Sequence, residues 1–282
     1  MKIGLTAFVT DYTIDIVSLA QQAERLGFES VWLPEHPAIP VIMKTPWPGN
    51  EAGVLPDFYK HMIDPFVGLA AAAAVTSKIR LGTAICLVPE RNALHTAKEV
   101  ATLDQVSGGR FEFGIGAGWL HEESDLFQVD FPRRWTQTRD HIEAMKVCWS
   151  QDESEYHGKY ADFPLLWSHP KPLQKPHPPI LIAGELEKAA HRVADYADGW
   201  LPRGRAIDPA GVDAGRKRIA ELYRENGRDP GTITISVFGG NPDKEHNRRF
   251  ADAGTDRMIH LLPCEGPEES VRRMEKWAAD LL

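Results

Sequence analysis

The chain is short of cysteine, of positive charge and of long apolar runs, and each shortage closes off a class of protein. Its three cysteines, Cys86, Cys148 and Cys264, are odd in number, far apart and in no CxxC pair. They specify neither a disulfide framework nor a zinc site, and no metal is expected; they read as buried thiols. Lys and Arg number 32 against 40 Asp and Glu, a formal net charge of −8, which leaves no basic field to gather a nucleic-acid backbone or anionic lipid. No stretch approaches the roughly 20 apolar residues that span a bilayer. The opening MKIGLTAFVTDY lacks the long apolar region and small-residue cleavage site of a secretory leader. A cytoplasmic enzyme, with neither nucleic acid nor membrane as partner, is the expectation.

What is present is a repeated sentence. KIGLTAFV at 2–9 is short, apolar and β-branched enough for a buried parallel strand. Thr13 then stands where an N-cap belongs, a helical spacing follows, and Gly27 closes it. The same pattern predicts strands at 28–36, 79–88, 109–116, 180–184, 199–202, 233–239 and 256–262. Helices are predicted at 64–78, 93–107, 133–150, 186–197, 208–226, 243–253 and 267–281. Eight strands alternating with helices over 282 residues predict an α/β fold, a (β/α)8 TIM barrel formed as a single domain over 1–282, rather than an open doubly wound sheet. One connection is out of proportion: residues 37–64 hold five prolines and little periodicity. Such length inside a compact domain is usually functional or disordered, and its place after strand two reads as a lid or substrate-pocket wall over the barrel mouth.

Reactive groups in this architecture come from the C-terminal ends of the strands. Glu35 and His36 end strand two; the pair offers a proton carrier with a charge to tune it, or two loop residues bonding the backbone. GRFEFGIGAGW places Gly114, Gly116 and Gly118 in a GxGxG series. It lacks the third spacing of the dinucleotide fingerprint and three βα units precede it. Its glycines suit either the close approach of a planar ring or phosphate, or a tight barrel corner. Ala183, Gly184 and Glu185 open a helix whose free amides suit an anion, with the Glu185 charge turned away. Trp200 and Arg203 lie near the same rim; Trp200 alone reads as core, and Arg203 meets either a phosphate or water.

Five segments, GFESVWLPEH, IRLGTAICLV, ATLDQVSGGRFEFGIGAGW, KPHPPILIAGE and ADGWLP, occur in one order along nearly the whole chain, and in them the sequence resembles the luciferase-like monooxygenase superfamily. Within it the chain is most similar to the branch that uses coenzyme F420, a 5-deazaflavin, where GxGxGW is followed by an acidic helix like LHEESDLF; relatives that use FMN share most of the scaffold. The resemblance implies a bulge with a non-prolyl cis peptide at Ala84-Ile85 against the cofactor ring. It implies that Gly116, Ala117, Gly118 and Trp119 border the ring and that Ala183 and Gly184, with Glu185 and Trp200 beside them, take the phosphate. Glu35 and His36 match an acidic-His pair beside the reactive ring carbon. One departure stands out: sugar-phosphate dehydrogenases of the branch carry a glutamate where this chain has Trp119, so an aromatic wall and a less polar substrate are expected.

Three functions are compatible with these features. The first is hydride transfer between F420 and a small organic substrate, His36 moving the proton and Glu35 orienting it. The second is an FMN-dependent monooxygenase fed reduced flavin by a separate reductase to activate dioxygen. The third is a non-catalytic flavin-binding protein. A homodimer through barrel helices is common in the family.

Overall fold

Residues 1–282 are described by a computed structural model. Eleven strands are present: β1 Lys2–Ala7, β2 Ser30–Leu33, β3 Arg80–Thr83, β4 Cys86–Leu87, β5 Phe111–Gly116, β6 Glu153–His157, β7 Asp162–Trp167, β8 Ile180–Ala183, β9 Gly199–Leu201, β10 Thr234–Gly240 and β11 Arg257–Leu262. All but β6 and β7 pair in parallel, in the order β3-β2-β1-β11-β10-β9-β8-β5-β4, and β3 also pairs with β5, which closes the ring. Since β3 and β4 are two pieces of one strand, the result is the expected closed eight-stranded barrel. The break between them holds a cis peptide bond at Ala84-Ile85.

Nine helices accompany the strands: α1 Ile16–Leu26, α2 Pro65–Val75, α3 Ala93–Val106, α4 His121–Leu126, α5 Arg134–Ser150, α6 Leu186–Tyr196, α7 Pro209–Glu225, α8 Lys244–Asp252 and α9 Pro267–Leu281. Their starts follow simple capping chemistry. Asp64, Asn92, Asp208 and Asp243 each cap a first turn through the side chain, satisfying amides that the helix itself leaves open. The expected cap at Thr13 is displaced: Asp15 accepts from Ser18 N at 2.9 Å to start α1. The Thr13 hydroxyl instead accepts from Thr10 N at 2.8 Å. Both residue types can cap, and the carboxylate nearer the apolar run does so. No helix is long and apolar enough to cross a membrane.

The hairpin of β6 and β7 is absent from the expected elements, because β6 is the polar run ESEYH and the faces of the hairpin are largely exposed. Of the thiols, Cys86 and Cys148 are buried, whereas Cys264 is only half-buried.

The barrel interior is filled differently at its two ends. Near the N-terminal strand ends, Arg257 lies buried between Glu29 and Glu112. Toward the C-terminal ends, Trp32, Ala84, Leu181, Leu201 and Ile259 form a small apolar plug, with Ile85, Ala183 and Phe238 packed on it and partly open to the mouth.

Candidate active site at the barrel mouth

The plug is a floor, and strand-end residues build walls on it. Ile85 and Ala183, from non-adjacent segments, meet on this floor, so the geometry brings together two of the three turns expected around a cofactor. Gly116 belongs to the third. A Cβ there would collide with the Ile85 side chain, so this glycine makes room for the bulge rather than directly for a ring. Gly118 is in the left-handed region at φ 77°, where glycine avoids the penalty other residues meet; it turns the chain so that Trp119 reaches the mouth. Ala117 is buried and contributes backbone, with little side chain, to that wall.

Beyond Ala183 the chain opens a cleft of about 540 Å³, lined among others by Gly184, Glu185, Trp200, Arg203 and Arg205. Gly184 has φ 134° and open space where a Cβ would stand, next to the first amides of α6. Neither Arg203 nor Arg205 forms an ion pair, whereas Arg91, Arg216, Arg228 and Arg257 all do. An open glycine turn, a helix start and two unspent guanidinium groups fit an anionic cofactor group. Trp200 lines this cleft from beneath, beside Gly184 and Glu185. It is 1% exposed and its indole donates to the Gly184 carbonyl at 2.9 Å, so it braces the turn from within. Glu185 is exposed at the N-cap of α6 with no capping bond of its own.

The proton-handling pair differs from the expectation too. Glu35 does not touch His36: it accepts from Leu87 N at 2.6 Å and from Arg91 Nε at 2.6 Å. The alternation of a strand end sends adjacent side chains to opposite sides, so Glu35 ties the cis-peptide segment down while His36 faces the mouth. The carboxylate on His36 is Glu123 of α4, with Oε2 2.5 Å from Nδ1. On the other side the Trp119 indole donates to His36 Nε2 at 3.2 Å. An indole N–H can only donate, so Nε2 accepts and the ring proton sits on Nδ1, facing Glu123. Trp119 and Glu123 thus select one tautomer of His36.

The long connection of 37–64 is tied over this group. Glu123 Oε1 accepts from Ala38 N at 3.3 Å, and Glu122 Oε1 accepts from Lys44 N at 2.6 Å and Thr45 N at 3.1 Å. The backbone bond from Lys44 leads the causes that hold the Glu122 carboxyl down at about 2, so this latch stays charged through the neutral range. From the same connection Tyr59 packs 5.1 Å from the His36 ring, and Trp47 lies 5.8 Å from Tyr59. Burial raises the Tyr59 phenol above its ordinary value, keeping it neutral as a donor. An aromatic enclosure around one neutral imidazole suits a small, mostly apolar molecule with one polar group.

Glu123, Tyr59, Trp47 and Arg205 are not legible as site residues in the sequence. The LHEESDLF helix carries only a general likeness to the family, and its second glutamate meets a histidine 87 positions away. Nothing local marks that contact except an acidic first turn.

Comparison with known proteins bears on this geometry. The sequence matches the luciferase-like monooxygenase family over residues 9–241. An uncharacterized protein of Mycobacterium tuberculosis is 36% identical over 283 residues, spanning 100% of this chain and 99% of that one. The FMNH(2)-dependent dimethylsulfone monooxygenase of Pseudomonas putida is 32% identical over 182 residues, 64% of this chain and 49% of that one. Among solved structures, the coenzyme F420 dependent tetrahydromethanopterin reductase of Methanopyrus kandleri superposes with a TM-score of 0.75 at 17% identity, covering 100% of this chain and 99% of that one. At that identity the likeness speaks for the fold.

Proposed function

The chain belongs to the luciferase-like monooxygenase family, and from that premise we propose that this enzyme transfers a hydride between coenzyme F420 and a small organic substrate. The observation that carries the reading is His36, held at the mouth in a single tautomer with Nε2 as an acceptor. Oxidising a C–OH group releases a hydride and a proton together, and a neutral imidazole nitrogen is suited to take the proton near neutral pH.

When bound, the deazaflavin supplies the two-electron partner for the hydride. Gly184, the start of α6, Arg203 and Arg205 are the residues to hold its phosphate-bearing part, and Ile85, Ala183 and the Ala117 to Trp119 turn, with Gly116 making room for Ile85, to border its ring. Trp119 gives up its bond to Nε2 as the substrate hydroxyl takes that place. Glu123 holds the imidazole through Nδ1 and stabilises it once it is charged. Tyr59, Trp47 and the latched connection exclude water, which strengthens each of these interactions.

A second reading rests on the Pseudomonas putida relative: an FMN-dependent monooxygenase served by a separate reductase. Both cofactors carry a phosphate suited to the same cleft, so the test reads the chemistry as well as the binding. The test is anaerobic incubation with F420 and a panel of small apolar alcohols, following the deazaflavin absorbance. Turnover that His36→Ala abolishes while cofactor binding persists supports the first reading. An active alanine variant removes His36 from its role, and oxygen uptake with reduced FMN in place of anaerobic turnover favours the second.

A further inference from the structure

Behind His36 and Glu123 lies a second carboxyl group with no partner of opposite charge. We propose that Glu90 is a positioning residue, a neutral carboxylic acid that leaves Glu123 to carry the one negative charge facing His36.

Glu90 ends the short turn Val88–Glu90 that follows β4 and is 7% exposed. Its Oε1 accepts from the Ser124 hydroxyl at 2.9 Å, and its Oε2 is buried with no hydrogen-bond partner. The groups around it come from four places. Glu123 and Ser124 face it from α4, and Glu35 from the end of β2. Arg91, next in the chain, is turned to Glu35, Asp64 and Glu99. From α5, Gln137 donates to Pro89 O, His141 engages Val88 O and Arg134 donates to Gly118 O. No cation pairs with Glu90.

Two carboxylates sharing a dry region do not both ionise at ordinary pH. Glu123 has His36 and the Ala38 amide to stabilise its charge, whereas Glu90 has one hydroxyl. Glu90 therefore keeps the proton. Burial first, and the Glu123 charge second, push its carboxyl up to about 8, against a smaller opposing effect of the Ser124 bond. Above that pH a second negative charge appears behind Glu123, and His36 meets a different field.

This inference rests on the proposed role of His36 only for its catalytic consequence, so its test uses cofactor-free protein. The His36 ring resonances are followed by NMR from about pH 5 to 9 in the wild type and in Glu90→Gln, which keeps the shape of the neutral acid. The wild type should show an inflection near pH 8 that Glu90→Gln lacks. Melting temperature gives an independent reading. A carboxyl whose proton affinity is higher in the folded state costs folding stability as pH rises from its unfolded value of about 4.3 to its folded one. Glu90→Gln should therefore melt above the wild type by a margin that widens from pH 5 to about 8. Ser124→Ala, which removes the one donor to Glu90, should move the inflection to higher pH. An inflection that survives in Glu90→Gln, melting curves that run parallel, or an inflection unmoved in Ser124→Ala each overturns the proposal.

Discussion

Both ends of the barrel bury carboxylates, but they treat them differently. At the N-terminal end Arg257, 5% exposed, donates to Glu29 at 2.6 and 2.7 Å and to Glu112 at 2.8 Å through two nitrogens, and Arg80 also reaches Glu112. Burial alone would raise the Glu112 carboxyl, yet the Arg257 charge and bonds outweigh it and hold it below its ordinary value. At the mouth only Glu35 has an arginine. Glu123 faces a histidine and Glu90 a hydroxyl. Charge that is matched serves stability; charge left short of a partner can change its protonation and serve chemistry, as expected at the C-terminal face of such a barrel.

The sharpest way to break this comparison is to unmatch the matched end. Arg257→Ala leaves the buried Glu112 with Arg80 alone and the partly exposed Glu29 with Lys2 alone, and should cost about 3 kcal/mol of folding free energy, read from urea unfolding. A loss below ~1 kcal/mol would dissolve the distinction. At the mouth, His36→Ala should lower kcat by about 10²- to 10⁴-fold, the usual range for a general acid or base, with little change in the unfolding midpoint. Arg203→Ala and Arg205→Ala, whose guanidinium groups form no ion pair, should each weaken cofactor binding about tenfold or more, as loss of one hydrogen bond to a charged group does; calorimetric titration checks it.

The smallest effect is on pH dependence, and its sign differs between the ends. Glu29 and Glu112 have lowered values, so their stability is present above about pH 4.3 and is lost as pH falls through the folded-state values. Glu90 has a raised value, so its contribution declines as pH rises toward about 8. Melting curves of Glu112→Gln should have a shallower acid slope and keep the decline toward about pH 8, and Glu90→Gln the reverse.

The barrel is legible in the sequence because each βα unit is a local statement: an apolar run, a capping residue, a helical spacing. The likeness to a family goes further, reaching Ala84-Ile85, Ala183 and Gly184 at the mouth. It falls short where two strand ends meet. Glu35 and His36 are adjacent in sequence and so look like a pair, but the strand sends them apart, one to Arg91 and one to Glu123. Trp200 stands beside Arg203 in the rim motif yet points inward to Gly184. The tautomer of His36 depends on Trp119, 83 positions away, a contact no local pattern records.

The most direct test of a deazaflavin cofactor at this mouth needs no substrate. The purified protein is titrated separately with F420 and with FMN, followed by absorbance, and oxygen uptake is then measured with each reduced cofactor. F420 bound about tenfold or more tightly than FMN, with no oxygen consumption, is the expected result. Tighter binding of FMN, with steady oxygen uptake once it is reduced, contradicts it.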